Sequence, residues 1–428
     1  MNITIIGAGL AGCEAAWQAA NQGANVRIFE QKPHKFSPAH KSKNFAELVC
    51  SNSLRADGLA NAVGLLKAEM RMLNSLIMEA ADATRVPAGG ALAVDREEFS
   101  KFITDKICSH ENIEVVYEEI TSIPQDELVI IASGPLTEGS LYEEIVQLTG
   151  HKKLHFYDAA APIVTADSLD MNKVFRASRY GKNGDDYLNC PMNREEYEAF
   201  YYALIGAELS PIKDFEECFF EGCLPVEELA RRGEQTLLFG PLKPVGLESS
   251  DGQTYHAVVQ LRQDDVAASL YNMVGFQTHL KFPEQKRVFS MIPGLKDVEF
   301  ARYGVMHRNT YINSPELLDS NYAMRSFPNI FFAGQITGVE GYLESAASGL
   351  TVGIAAVQGN KFKSFPTTTA IGSLARYIST ANPSSFQPMN INFGIIDRLP
   401  NKIRKKREKN EALSARALED LRESLKDS

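Results

Sequence analysis

Among its 428 residues the chain has no apolar run approaching 18, so no membrane-spanning helix is expected. The N-terminus enters an apolar segment at once and lacks the order of a secretory signal peptide. Six cysteines, at positions 13, 50, 108, 190, 218 and 223, form no C-x-x-C pair and have no histidine at ligand-like spacing. That argues against a zinc site or other metal centre, against a disulfide framework, and for a reducing, cytoplasmic setting. Positive charge is also short: the net charge of −10 argues mildly against nucleic acid, although binding depends on local patches. What remains is ordinary for a globular enzyme, with 44% hydrophobic and 23% charged residues. The length suits two or three domains.

The most informative stretch is Asn2 to Glu30. A β-branched run, Ile3 to Ile6, predicts a buried strand. Gly7, Gly9 and Gly12 follow in G-x-G-x-x-G spacing, an Ala-rich helix runs to Gly23, and a second strand, Val26 to Phe29, ends at Glu30. This is the order of a βαβ dinucleotide-binding unit. Gly7 permits the tight turn, Gly9 lets the backbone approach a pyrophosphate, and Gly12 lets helix and strand pack closely. The free N–H groups of the first helical turn, around Ala8, Leu10 and Ala11, suit a phosphate. Glu30 lies 18 residues past Gly12, where a carboxylate reaches ribose hydroxyls. No second G-x-G-x-x-G occurs.

Two further segments point to a flavin. Glu127 to Pro135 is an apolar strand ending in Ala-Ser-Gly, where flavoproteins of this kind return to the cofactor. Asn329 to Val357 is a strand, a turn with Gly334, Gly338 and Gly341, and a long helix. Its small residues Ser345, Gly349 and Gly353 recur every four positions, a face for close approach to a partner helix or a cofactor. The expected fold is α/β: an FAD-binding Rossmann-type, two-dinucleotide-binding-domain flavoprotein with an α+β insertion domain. Expected boundaries are 1–165 and 286–370 for the FAD-binding domain, 166–285 for the insertion, and 371–428 for a C-terminal segment with a basic helical tail. Apolar spacing from Leu66 to Ile77 predicts one helix over 62–85.

Three groups carry candidate chemistry. Cys50 sits where an apolar segment opens into a polar loop; backbone N–H groups or Lys41, Lys43 or Arg55 can activate it, or it is an inert half-buried thiol. Cys223 precedes Leu224-Pro225 and an acidic helix start, and is likewise either reactive or structural. His307 and Arg308 are either structural or a site for an anion. Finally, Lys402 to Lys409 reads KIRKKREK, six bases less one acid, or +5, so the rest sums to −15. Lys405, Lys406 and Arg407 lie at its centre, as a solvated face or as contacts to a phosphate backbone.

Together, GAGLAGCEAA, FAELVCSNSLR, FEGCLPVEELARRG, YGVMHRNTYINSP and GQITGVEGYLESAASG resemble the folate- and FAD-dependent tRNA uracil-54 C5-methyltransferases nearly from end to end. The resemblance implies 5-methyluridine formation in the T-arm of tRNA, with carbon from 5,10-methylenetetrahydrofolate and electrons from NAD(P)H. It implies Cys223 as the nucleophile toward uracil C6 and Cys50 as the second essential thiol, roles that can be exchanged. It implies that Gly7 to Gly12 and Glu30 hold the adenosine diphosphate half of FAD, and that Gly334, Gln335, Gly341, Tyr342 and Glu344 sit near the flavin ring. Alternatives are a paralogue methylating ribosomal RNA, a flavin oxidoreductase on a small metabolite with the cysteines as a redox pair, and a flavoprotein that binds RNA without turnover.

Overall fold

The computed structural model describes residues 1–150, 154–181, 184–211, 224–247 and 255–426, and of residues 154–158, 307 and 308 the backbone alone. Cys218 and Cys223 lie outside the described residues. The first half contains β1 (Asn2–Ile6), α1 (Leu10–Asn21), β2 (Asn25–Phe29), β3 (Ser53–Ala56), α2 (Ala62–Met72), α3 (Leu76–Ala83), β4 (Arg85–Val86), β5 (Ala91–Val94), α4 (Arg96–Ser109), β6 (Ile113–Val116), β7 (Val129–Ile131) and α5 (Gly139–Thr149). Next come β8 (Leu154–Ala159), β9 (Ile163–Thr165), β10 (Phe175–Arg176), β11 (Tyr187–Met192), α6 (Arg194–Ile205), α7 (Val226–Arg231), α8 (Glu234–Phe239), β12 (Ala257–Gln263), β13 (Leu270–Met273), α9 (Phe282–Phe289) and β14 (Phe300–Arg302). The chain closes with β15 (Met306–Tyr311), α10 (Ser314–Leu317), β16 (Ile330–Phe332), α11 (Tyr342–Gln358), α12 (Ala370–Thr380) and α13 (Lys406–Lys426).

A five-stranded parallel sheet, ordered β16-β7-β1-β2-β6, carries the dinucleotide fingerprint at its centre. Its inner strands read as continuous β-branched runs because helices cover both faces; Val129, Ile130 and Ile131 are wholly buried. The expected α/β flavoprotein architecture is what the chain adopts. One expectation needs correcting. The helix over 62–85 is two helices, because Asn74 takes a left-handed conformation (φ 55°) and Ser75 then caps α3 by accepting from Met78 N–H. The buried Glu14 carboxylate also accepts from the N–H groups of Leu76 and Ile77, at 3.3 and 3.0 Å, so that break is filled from α1.

The second sheet is antiparallel, ordered β10-β11-β12-β13-β9-β14. Period-two alternation splits its side chains. Leu188, Cys190, Met192, Val259, Leu261, Tyr271 and Met273 enter the insertion core with α6 and α9. Gln260, Arg262 and Asn272 alternate with them and take the opposite face. That core runs from Val164 to Val298, while the first core holds residues up to Ile145 and again from Tyr311 to Leu421, including the tail helix. The two are joined by an antiparallel ribbon of β8 and β15, with His307 opposite Asp158 and Arg308 opposite Tyr157.

The small-residue face of α11 lies against α1. A Cβ at Gly349 would fall 2.1 Å from the Ala11 carbonyl oxygen, and one at Gly353 would fall 2.6 Å from that of Ala15. Gly349→Ala should therefore lower stability by about 1–3 kcal/mol, the range of overpacking. Thermal unfolding should show Gly90→Ala, whose Cβ meets nothing within 4 Å, unchanged to within about 0.5 kcal/mol.

Candidate cofactor cleft and active site

The three fingerprint glycines do different work. Gly7 has φ +102°, and a Cβ there would lie 2.6 Å from the Ala132 carbonyl oxygen, so the turn presses on the end of β7. A Cβ at Gly12 would overlap the Gly7 carbonyl oxygen at 1.9 Å, so α1 sits directly on the turn. At Gly9 a Cβ would meet nothing, which leaves the helix N-terminus open. Gly9 caps α1 without any side-chain bond, so the first-turn N–H groups face outward. Glu30, 7% exposed, ends β2 and braces the turn: its carboxylate accepts from Ala8 N–H at 3.0 Å and Lys32 N–H at 2.9 Å.

Gly7, Gly9 and Glu30 line a cleft of about 190 Å³ together with Ser133, Gly134, Gly334, Gln335, Tyr342 and Ser345. Free helical N–H groups, an unobstructed Gly9 and an acid at the end of β2 fit the diphosphate and ribose of a dinucleotide. His40 lines the same cleft. Burial, with Lys32 and Arg302 adding to it, lowers its imidazole to about 4, so it is neutral at pH 7. Gln335 donates to both Glu340 oxygens at 2.8 and 2.7 Å, which orders the turn before α11. Glu344 is turned elsewhere: buried, it pairs with Arg55 and accepts from Ile391 N–H at 2.8 Å. Gly12, Gly341 and Glu344 are not among the residues that line the cleft; the other residues expected at the cofactor line it.

Cys50 follows the cleft-wall residue Val49 and is half-buried. The Tyr342 hydroxyl accepts from the N–H groups of Cys50 and Ser51, at 2.7 and 3.3 Å, so one ring joins the cleft wall to the cysteine loop. Burial, with Cys50 adding to it, raises the Tyr342 phenol above its ordinary range, so it stays protonated. Three guanidinium groups act electrostatically on Cys50. Arg96 pairs with Asp264 at 3.0 Å and donates to the Leu48 carbonyl. Arg262 donates to Asn52 Oδ1 (3.0 Å), Ser51 Oγ (2.7 Å) and Asn272 Oδ1 (3.3 Å). Arg302 donates to the Ala39 carbonyl at 3.3 Å. Burial lowers Arg262 and Arg302 from the ordinary arginine value, yet guanidinium remains cationic throughout the working range. Positive charge beside a sulfur favours its nucleophilic anion. Elsewhere burial works the other way, pushing Cys190 up to about 12 and Cys13 well above its ordinary value.

Arg96, Arg262, Arg302 and Asp264 were not expected from sequence. Arg96 alone leaves a signal: a cation in the first turn of α4 works against the helix dipole and needs another reason to be there. The side chains of His307 and Arg308 lie outside the description. Lys405, Lys406 and Arg407 are exposed at the start of α13. Lys405 pairs with Glu408 at 2.9 Å and Arg407 with Glu411 at 2.8 Å. Their helix is seated on the loop after β3, through Asn410 to the Ala60 carbonyl (3.0 Å) and Ser414 to that of Leu59 (2.7 Å). Among the described residues no cluster of metal-ligating side chains occurs, and no helix is long and apolar enough to cross a membrane.

The family described as "Glucose inhibited division protein A" matches residues 2–364. The chain is 60% identical over 426 residues to the methylenetetrahydrofolate--tRNA-(uracil-5-)-methyltransferase TrmFO of Acetivibrio thermocellus, covering 98% of each protein. It is 60% identical over 422 residues to the protein of that name from Listeria monocytogenes, covering 97% of each. Among solved structures, GidA of Aquifex aeolicus superposes with a TM-score of 0.66 at 15% identity, over 98% of this chain and 74% of that one, a likeness of fold.

The glycine geometry separates cofactor loss from misfolding. Gly9→Glu should fold, because its side chain enters open cleft, yet purify without flavin absorbance. Gly12→Ala should disturb the turn itself and lower the melting temperature of the cofactor-free protein as well.

Proposed function

Because the chain belongs to the GidA family, and within it to the TrmFO methyltransferases, we propose that it forms 5-methyluridine at position 54 of the tRNA T-arm. FAD is its cofactor, with 5,10-methylenetetrahydrofolate as carbon donor and NAD(P)H as reductant. The observation that carries the reading is the Cys50 corner, where Tyr342 ties a thiol to the cofactor cleft and three arginines surround it.

The first turn of α1, Glu30 and the Gly334–Tyr342 side would hold FAD, which would supply the redox chemistry linking the folate carbon to the reductant. The chain's own part concerns uracil. C5 of uracil is a weak carbon nucleophile. A thiolate adding to C6 forms a C–S bond and sends the ring π electrons to C5 and O4 as an enolate, which makes C5 able to attack a one-carbon electrophile. As the C5–C bond forms and the C5 proton is lost, the carbon breaks from its carrier nitrogen, which takes up a proton. A hydride equivalent from the nicotinamide reductant then adds to the resulting methylene as the thiolate leaves C6, restoring the C5–C6 double bond with a methyl group on C5. Cys223 is the proposed nucleophile, and Cys50 the second thiol, which takes the C5 proton or guards the site. Arg96, Arg262 and Arg302 act on Cys50, and a uracil seated beside that thiol would have its enolate charge stabilised by them. The basic run from Lys402 to Lys409 is proposed to hold RNA phosphates, since α13 is anchored on the chain at Leu59 and Ala60, nine and ten residues beyond Cys50. Work with reduced thiols suits the cytoplasm.

Mass mapping after incubation of a tRNA transcript with enzyme, NADPH and methylenetetrahydrofolate should find one methyl group on the T-arm uracil. Methylation only of a ribosomal transcript would move the target to that RNA, and none on any RNA would overturn the reading. Cys50→Ala and Cys223→Ala should each abolish methyl transfer while FAD stays bound. The same change at Cys13, Cys108, Cys190 or Cys218 should cost only modest stability.

A second check concerns the tail. Changing Lys405, Lys406 and Arg407 to Ala should flatten the salt dependence of RNA binding by roughly 0.7–0.9 log units per lost phosphate contact. FAD content should not change. Equal affinity at every salt concentration would reduce the run to a solvated helix flank.

A further inference from the structure

We infer that Asn272, held by Arg262, reads the lactam edge of the target uracil, the carbonyl and the adjacent ring N–H. The inference rests on the proposed function. Arg262 on β12 and Asn272 on β13 are directly opposed in the antiparallel pairing, on the face that alternates away from the insertion core. Arg262 binds Ser51 Oγ at 2.7 Å and Asn52 Oδ1 at 3.0 Å, so this face closes over the Cys50 loop.

The same guanidinium donates to Asn272 Oδ1 at 3.3 Å. That contact fixes the amide, because the flipped group would set an NH2 donor against a guanidinium donor. Asn272 is 2% exposed, and its Nδ2 has no hydrogen-bond partner among the described residues. A second orphan lies nearby on the neighbouring strand: Thr165 Oγ1 is also buried without a partner among the described residues, and its residue sits diagonal to Asn272 across β9 and β13. Buried polar groups are nearly always satisfied, so an oriented donor left open in the network around Cys50 calls for an acceptor from outside the chain.

An amide pairs with a lactam through two bonds: its NH2 donates to the carbonyl, and the spare lone pair of its oxygen accepts the ring N–H. Uracil offers that edge as O4 and N3–H. Cytosine offers an amine and a bare nitrogen at the same positions, which sets donor against donor. Seating O4 at Asn272 also brings it to the Arg262 charge, where negative charge collects after thiol addition. The pterin of folate carries a lactam edge too, and the test separates the two sources.

Synthetic T-arm hairpins with uridine or 3-methyluridine at the target give a cycle with Asn272→Ala. Wild type should methylate the uridine hairpin at least about tenfold faster than the 3-methyluridine hairpin, the value of a good two-bond contact. In Asn272→Ala the ratio should fall to within about twofold, with an unchanged folate KM. A ratio unchanged in the variant, or a loss expressed as a raised folate KM, overturns the inference. Should Asn272→Ala purify without FAD, Asn272→Ser replaces it, with the same ratio expected and the same results overturning it. Wild-type enzyme that methylates no uridine hairpin would instead sink the proposed function.

Discussion

The contact between α1 and α11 is the constraint on which the site depends. Backbone carbonyls of α1 occupy the space that side chains at Gly349 and Gly353 would need. The two helices run parallel, Gly349 against Ala11 and Gly353 against Ala15, so α11 begins about two turns ahead of α1. One N-terminal end, at Gly9, is left uncapped and open to the cleft. The other begins with Tyr342, whose hydroxyl holds the Cys50 loop. A packing contact inside the core thus sets the separation between the end of the molecule that suits a diphosphate and the end that carries sulfur.

The second half of the site comes from a sheet whose two faces have different solvents. One face of β11, β12 and β13 is insertion core; the other looks onto the cofactor domain and is lined with amide and guanidinium groups. Gln260 donates to Asn189 at 3.0 Å, and Arg179 to Gln260 at 2.9 Å, so much of this polar layer is internally satisfied. A polar layer at a domain junction holds its residues in fixed orientations, because each buried donor left unmatched costs free energy. That makes the junction selective in what it accepts.

The fold was legible in the sequence where its signals are local. Glycine spacing, β-branched runs and the acid at position 30 fall within 30 residues, and the α/β flavoprotein architecture follows from them. The break at Asn74 was not legible, since apolar spacing continues across it and only an Asn-Ser pair marks it. In the site, Cys50 stood out by its neighbours, but the arginines around it come from α4, β12 and β14 and meet only through folding. Arg262 reads as one polar position in an alternating strand, which in sequence means an exposed face; it is 7% exposed because a second domain covers that face. The spacing of Ser345, Gly349 and Gly353 left helix and cofactor open as partners. The two glycines face α1, while Ser345 lines the cleft.

The order of the strands also sets an order in time. β16 is the edge partner of β7, with Ile330 opposite Val129, a separation of 330 − 129 = 201 residues. At about 5–20 residues per second of synthesis, the β7 edge waits roughly 10–40 s for its neighbour. Throughout that interval it is an apolar strand with unpaired backbone, a template for other chains. The insertion, with its own core, is complete before β16 emerges. Its early folding shortens the effective loop between β7 and β16, because the ribbon of β8 and β15 brings the chain back beside its point of exit. On this account the insertion serves the newborn chain before it serves the mature enzyme.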